Sequence, residues 1–199
     1  MRFLRKIFSF FRRGESVQTP GSNYQKEYNQ EWDKVLDEKI VYHNLLSLME
    51  THCLDIHKLQ ENFTNLSFNT RVLVLREFFK AMMYFESAYN PESACVDVGN
   101  KKNKDTWSVG LFQVSVCDQE NYNLPTSYSY KDLLEPENNI DLALRIFARQ
   151  LLRTKKIFIP KGEAGVYWAV IHPGGKYDKT QSIIKMTKDA LLVQNKFLR

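Results

Sequence analysis

Apolar positions along the chain recur mainly at helical spacing. From Tyr24 to about Asn62, Tyr28, Trp32, Val35, Leu36, Tyr42, Leu45, Leu46 and Met49 fall near one face. This predicts one bent helix or two consecutive ones. The next segment, RVLVLREFFKAMMYFESA over 71–88, is apolar almost all round, the pattern of a buried helix rather than a surface one. Asn69 or Thr70 is its expected cap and Asn90-Pro91 its expected end, because proline disfavours helix at the residue before it. Residues 95–130 are irregular, polar and aromatic, and include a short apolar run, VGLFQVSV, that suits either a strand or a helix start. Pro136 to Asn139 opens a further helix, IDLALRIFARQLLRT. A loop through Pro160 and Gly162 leads to the apolar EAGVYWAVI, and His172-Pro-Gly-Gly breaks the chain before SIIKMTKDALLVQNKF. The pattern predicts a mainly α fold with a small β-hairpin or irregular flap near 95–118, and shows no internal repeat.

The N-terminal end reads differently. In residues 2–13, Phe3, Leu4, Ile7, Phe8 and Phe11 alternate at helical spacing with Arg2, Arg5, Lys6, Ser9, Arg12 and Arg13. A basic amphipathic arm of this kind suits an anionic membrane surface; a solvated basic tail is the plainer alternative. The arm is too short to span a bilayer, and as a signal peptide it lacks an unbroken apolar run and a small-residue cleavage site. Pro20 and Gly21 mark a linker. The expected division is a basic arm and linker over 1–22, a helical extension over 23–66 and a main domain over 67–199.

Charge changes the picture little. The chain carries 28 basic and 23 acidic residues, net +5, and the five basic residues of 1–13 account for the excess. The body is formally neutral, so nucleic acid is not an expected partner. Lys101, Lys102 and Lys104 cluster in a polar stretch that reads first as a solvated loop. Cys53, Cys95 and Cys117 are too few for a disulfide framework, and free thiols are expected, although Cys95 and Cys117 flank one segment and could pair in an oxidising compartment. HCLDIH offers His52, Cys53, Asp55 and His57, but a zinc site needs three or four converging ligands and no partner cluster appears elsewhere, so neither metal nor cofactor is expected. Cys95 or Cys117 with His172 matches no cysteine-protease signature.

One acid stands apart. Glu86 closes the most apolar helix, with Phe78, Phe79, Met82, Met83, Tyr84 and Phe85 before it. A carboxyl in such surroundings resists ionisation, because its anion loses water, and a carboxyl that keeps its proton near neutral pH can act as a general acid. Lysozyme is the handiest precedent for that device. A solvent-exposed helix-end glutamate is the bland alternative.

Four segments in order, MMYFESAYNP, SVGLFQV, NNIDLALRIFARQLL and GVYWAV, resemble the catalytic domain of the soluble lytic transglycosylases, which is similar to goose-type lysozyme. That family shows a hydrophobic helix ending in Glu-Ser, an aromatic and Asn-Pro, then a Gly-Leu-Met-Gln turn, an Asn-Ile helix and a Tyr-Asn-Ala-Gly segment. The resemblance covers about 70–190. It implies Glu86 as the catalytic acid, Ser87 as the serine that helps hold the acid and the sugar, Gly110, Leu111, Phe112 and Gln113 as the turn lining the glycan cleft, and Tyr167 as a tyrosine bonded near the acid. Phe112 replaces the family's Met, while Trp168 and Val170 replace its Asn and Gly, which alters part of the sugar pocket. Trp168 is nonetheless counted among the substrate-binding residues.

The substrate implied is the glycan strand of peptidoglycan, cut at the MurNAc–GlcNAc β-1,4 bond to leave 1,6-anhydro ends, with Glu86 as sole acid and base. Two alternatives stay open: a hydrolysing muramidase of the same fold, in which Asp97, Asp105 or Asp118 activates water, and a non-catalytic wall-binding or envelope protein. Tyr122, Tyr128 and Tyr130 are further candidates for stacking on sugar. The implied setting is the cell envelope, or delivery to it by secretion or by a phage.

Overall fold

The computed structural model describes residues 27–96 and 101–197, so the arm and linker of 1–22 lie outside the described residues. Two helices open the body, α1 (Glu31–Tyr42) and α2 (Leu45–His52). The expected long helical stretch to Asn62 is broken twice. Asn44 takes a left-handed backbone, φ 55°, which separates α1 from α2. After His52 the chain leaves helix for short 3-10 turns at Ile56–Lys58 and Phe63–Asn65. A long-range clamp explains the second break: the Asp55 carboxylate accepts from the backbone N–H groups of Ile157 and Phe158, at 2.8 and 3.1 Å. These are contacts with a segment about a hundred residues away, and periodicity carries no trace of them. They also give Asp55, one of the possible metal ligands of the HCLDIH run, a structural task.

Helix α3 (Phe68–Ser87) is the central rod. Its cap is Ser67, not Asn69 or Thr70; the Ser67 hydroxyl accepts from the Thr70 N–H at 3.2 Å. Val72, Val74, Leu75, Phe78, Phe79, Ala81, Met82 and Met83 are all buried, as expected for a helix with almost no polar face. It packs against α1 on one side and against the last helix on another. It also ends earlier than Asn90-Pro91 predicts. Ala88, φ 51°, and Tyr89, φ 61°, are both left-handed, and the Ala88 N–H bonds back to the Tyr84 carbonyl at 2.9 Å. Glu86 thus lies in the last turn, where the chain swings away.

The sheet is minimal. Strand β1 (Ala94–Cys95) pairs antiparallel with β2 (Ser108–Val109), Ala94 opposite Val109 and Cys95 opposite Ser108. The run VGLFQVSV is therefore a strand that folds back on itself: Val109 also bridges to Val114 across a tight turn. A short helix α4 (Cys117–Asn121) follows. Helix α5 (Pro136–Thr154), with Pro in its first turn, carries α1 and α2 on its flank. A 3-10 turn, Ala169–Ile171, leads to α6 (Thr180–Phe197). One apolar core runs through all these elements, from Trp32 to Leu191. Among the described residues no helix is long and apolar enough to cross a membrane.

The seam between α1 and α5 holds a buried acid, Asp141, only 1% exposed. Arg145 Nε lies 2.6 Å away, His43 Nε2 3.0 Å, Tyr128 Oη 3.1 Å and Lys39 Nζ 3.3 Å. Burial is the largest single influence on Asp141 and pushes its pKa up, but the bonds and charges of His43 and Arg145 together outweigh it and hold the carboxyl well below the usual carboxylate range.

Candidate active site

Three segments converge beyond the end of α3. The first is the exit of α3 itself, with Glu86, Ser87 and the left-handed pair Ala88 and Tyr89. Glu86 is half-buried, and none of its neighbours among the described residues bonds to its carboxyl. Burial alone drives its pKa up to about 8. Part of the residue stays exposed while protein packs densely around its carboxyl. Ser87 is also half-buried, and its hydroxyl donates to the Met83 carbonyl at 3.1 Å.

The second segment is the turn between Val109 and Val114. Gly110 has φ 74°, and a Cβ there would meet Asn139 Nδ2 at 2.1 Å, so both backbone and space demand glycine. Asn139, fully buried at the start of α5, is the keystone of this turn. Its Nδ2 donates to the carbonyls of Val109 (2.9 Å) and Leu133 (2.8 Å), and its Oδ1 accepts from the Phe112 N–H at 2.9 Å. Gln113, φ 52°, donates its amide to the carbonyls of Gly110 (2.8 Å) and Ser93 (3.2 Å). The Gly110 N–H bonds to the same Ser93 carbonyl at 2.8 Å. The turn is thereby tied to the segment that follows α3 through the Ser93 carbonyl, by the Gly110 N–H and the Gln113 side-chain amide.

The third segment brings in Tyr167. Its N–H donates to the buried Gln150 Oε1 of α5 at 2.9 Å, and its ring packs edge-on to Tyr122 (5.8 Å between centroids) and Trp168 (4.6 Å). The Tyr167 hydroxyl makes a short hydrogen bond to Asp118 of α4. Asp118 Oδ2 also accepts from the Ser115 N–H at 2.7 Å and the Ser115 hydroxyl at 2.9 Å. Burial pushes the Asp118 carboxyl up in spite of these bonds. Tyr167 is raised well above a normal phenol, first by burial, then by the charge and hydrogen bond of Asp118, with Tyr122 and Glu86 adding to it. Tyr167 is close enough to Glu86 to feel its charge.

Not every expected site residue faces this recess. Leu111 and Phe112 are fully buried and Trp168 is 2% exposed. Phe112 packs against Phe79 and Trp168, and the Trp168 indole N–H donates to the Phe112 carbonyl at 2.9 Å. Their side chains belong to the core, which corrects the expectation that they line a cleft. Any hold they have on a ligand passes through the backbone they fix. Apolar residues beside a functional turn read alike whether they point in or out, so sequence alone could not separate them. Tyr128 is likewise turned to Asp141 and not to the recess. Tyr130 packs edge-on to Trp107 (6.0 Å between centroids), and Lys104 lies over both rings. Of the three loop acids, Asp97 lies outside the described residues, Asp105 is exposed, and Asp118 Oδ2 accepts from Ser115 and Tyr167 as above. Among the described residues no group of three or more His, Cys, Asp or Glu side chains could hold a metal ion. Two residues that the motifs passed over, Asn139 and Gln150, turn out to position the site. Asn139 carried a signal, the Asn-Ile pair that opens α5. Gln150 carried none.

Residues 69–168 match the Transglycosylase SLT domain, and the chain belongs to that family, whose activity is of the peptidoglycan lytic transglycosylase type. No curated protein matches it. Solved structures of Bd0314 DslA share the fold. One mutant form aligns with a TM-score of 0.65 at 22% identity, over 80% of this chain and 89% of that one. The wild type, in its form 2, aligns at 0.64 and 20% over the same shares. The mostly helical body with its two-stranded sheet is the lysozyme-like fold of the SLT domain.

Proposed function

We propose that this chain cuts peptidoglycan strands at the MurNAc–GlcNAc β-1,4 bond with Glu86 as the single acid and base, releasing 1,6-anhydro-MurNAc ends. On this reading residues 67–199 form the catalytic domain and 23–66 a helical extension packed on it. The observation that carries the reading is the state of Glu86: a carboxyl without a bonded partner among the described residues, walled by protein, with its pKa near 8. Such a group still holds its proton at neutral pH and can deliver it to the bridging oxygen as the glycosidic bond breaks. The resulting carboxylate then takes the proton of the muramoyl 6-hydroxyl as that oxygen closes on the anomeric carbon. The proton count balances, no water is consumed, and the nucleophile is held in place by the sugar that carries it. Ser87, Gln113 and the backbone of Gly110 to Gln113 are the groups we assign to holding the glycan beside the acid.

The hydrolysing alternative needs a second carboxylate that faces a water. Asp118 is the buried candidate, but its Oδ2 is already committed to Ser115 and Tyr167. The test is digestion of purified sacculi by the wild type and by Glu86→Gln, with the released fragments identified by mass spectrometry. Anhydro ends from the wild type and none from the variant support the proposal. Reducing ends alone convert the reading to a muramidase. Equal digestion by both proteins removes Glu86 from the mechanism.

A further inference from the structure

The chain leaves α3 by a strained path. Ala88 and Tyr89 follow Glu86 and Ser87, and both take left-handed backbone conformations, φ 51° and 61°, without being glycine. For a bulky aromatic such a conformation persists only where its surroundings over-determine it. The contacts of the Tyr89 ring show what does so. It packs edge-on to Tyr28 (5.2 Å between centroids) and tilted against Tyr84 of α3 (5.6 Å). Tyr28 comes from ahead of α1 and is gripped on its other sides. Its hydroxyl donates to Asp33 at 2.6 Å, Lys80 Nζ lies 4.4 Å from its ring centroid, and Trp32 meets it edge-on at 5.5 Å. Lys80 is held in turn by Asp33 at 3.3 Å and Glu77 at 3.2 Å. A ring fixed at three points is a wall for Tyr89 rather than a loose neighbour.

Backbone bonds carry the placement of Tyr89 to the rest of the site. The Asn90 N–H donates to the Ser87 carbonyl at 3.0 Å, and the Ser93 N–H to the Asn90 carbonyl at 3.1 Å. The Ser93 carbonyl is in turn the acceptor shared by the Gly110 N–H and the Gln113 amide. The path that leaves Glu86 is therefore the path that seats the 110–113 turn. We propose that Tyr28 is a positioning residue of the active site: its ring holds Tyr89 in the left-handed conformation that ends α3, and so fixes Glu86 relative to the 110–113 turn. This rests on the reading of Glu86 as the catalytic acid. Tyr28 lies outside residues 69–168, the stretch that matches the SLT domain, so the brace comes from the segment ahead of the matched domain.

The experiment compares full-length wild type, Tyr28→Ala, Tyr89→Ala and the double variant, with Tyr28→Phe and Ser67→Ala as controls. Two quantities are read at a temperature where every form is folded. One is kcat and KM on soluble glycan strands prepared from sacculi. The other is hydrogen exchange of the Ala88 and Asn90 amides, which close the exit turn on the Tyr84 and Ser87 carbonyls. Tyr28→Ala lowers kcat by about tenfold with KM changed by less than about twofold, and speeds exchange at both amides by about tenfold. In the Tyr89→Ala background the same substitution changes kcat and exchange by less than about twofold, because the ring it braces is gone. Tyr28→Phe keeps the ring, loses the Asp33 bond and recovers most of the kcat lost in Tyr28→Ala. Ser67→Ala, weakened at the far end of α3, moves neither readout. Equal effects of Tyr28→Ala in both backgrounds overturn the proposal. So does a loss in Tyr28→Phe as large as in Tyr28→Ala, and so does unchanged exchange at Ala88 and Asn90. Should Tyr28→Ala not fold, Tyr28→Leu takes its place in the same cycle. If Glu86→Gln still cuts glycan, the acid reading fails, and the brace is judged by amide exchange alone.

Discussion

Glu86 and Asp141 are both carboxyls set among apolar helices, and they have been pushed in opposite directions. Glu86, at the exit of α3, has no bonded partner among the described residues and is driven up to about 8 by burial. Asp141, on the seam of α1 and α5, is more deeply enclosed, yet it is held low because His43, Arg145, Lys39 and Tyr128 surround it. Burial alone therefore does not set the charge of an acid; the partners supplied with the burial do. An acid given four partners ties two helices together. An acid given none is a standing cost to the fold, and on the proposed function that cost falls on the residue that does the chemistry.

The widest separation between the two regions should come from activity. Glu86→Gln is expected to lower glycan cleavage by about 10³-fold, within the range for loss of a general acid, with the melting temperature kept or raised. Asp141→Ala should do the reverse. It leaves Lys39, Arg145 and His43 without their common anion and is expected to cost about 3 kcal/mol in denaturant unfolding, while the protein that remains folded still cuts glycan. A destabilised Glu86→Gln with a normal Asp141→Ala would invert the comparison. Next in size is Asn139→Ala, which removes the bonds holding the 110–113 turn; a loss of about 2 kcal/mol is expected, together with reduced cleavage, because the turn and the α3 exit share the Ser93 carbonyl.

Stability against pH sharpens the same contrast. The folded state holds the Glu86 proton more tightly than the unfolded chain, whose carboxyl titrates near its ordinary 4.5. Stability from this group is therefore present below about 4.5 and falls as pH rises toward 8. Urea unfolding of wild type and Glu86→Gln should diverge across that window, in favour of the variant at the alkaline end. Asp141 has the opposite sign. Its contribution is present above its ordinary 3.8 and is lost as pH falls below it, and Asp141→Asn should flatten that acid-side loss. The smallest effect expected is that of Ser67→Ala at the far end of α3, about 1 kcal/mol from a lost cap and no change in cleavage.

Much of this architecture was visible along the chain. The all-round apolar run of 71–88 announced the buried central rod, and its last charged residue, Glu86, was the candidate acid. The proline before Asn138-Asn139 marked the start of α5. The first stretch left one bent helix or two open, and left-handed Asn44, a conformation that asparagine tolerates and hydrophobic spacing does not register, decides for two. Other readings failed for identifiable reasons. Ser67 caps α3 one turn before the apolar run begins. Leu111, Phe112 and Trp168 were read as cleft residues because motif position says which segment is functional and not which way a side chain points.

Periodicity and residue type sufficed for the helices and for Glu86 at the end of an apolar helix, because these depend on neighbours within a turn or two. The opposite fates of Glu86 and Asp141, the commitment of the Tyr167 proton to Asp118, and the anchoring of the turn by Asn139 needed the folded chain. The bonds Phe112–Asn139, Tyr167–Asp118 and His43–Asp141 join groups that lie from 27 to nearly 100 residues apart and meet only in three dimensions. A hydrogen bond of about 3 Å between such groups is a product of packing, and the order of residues along the chain does not encode it in any local pattern.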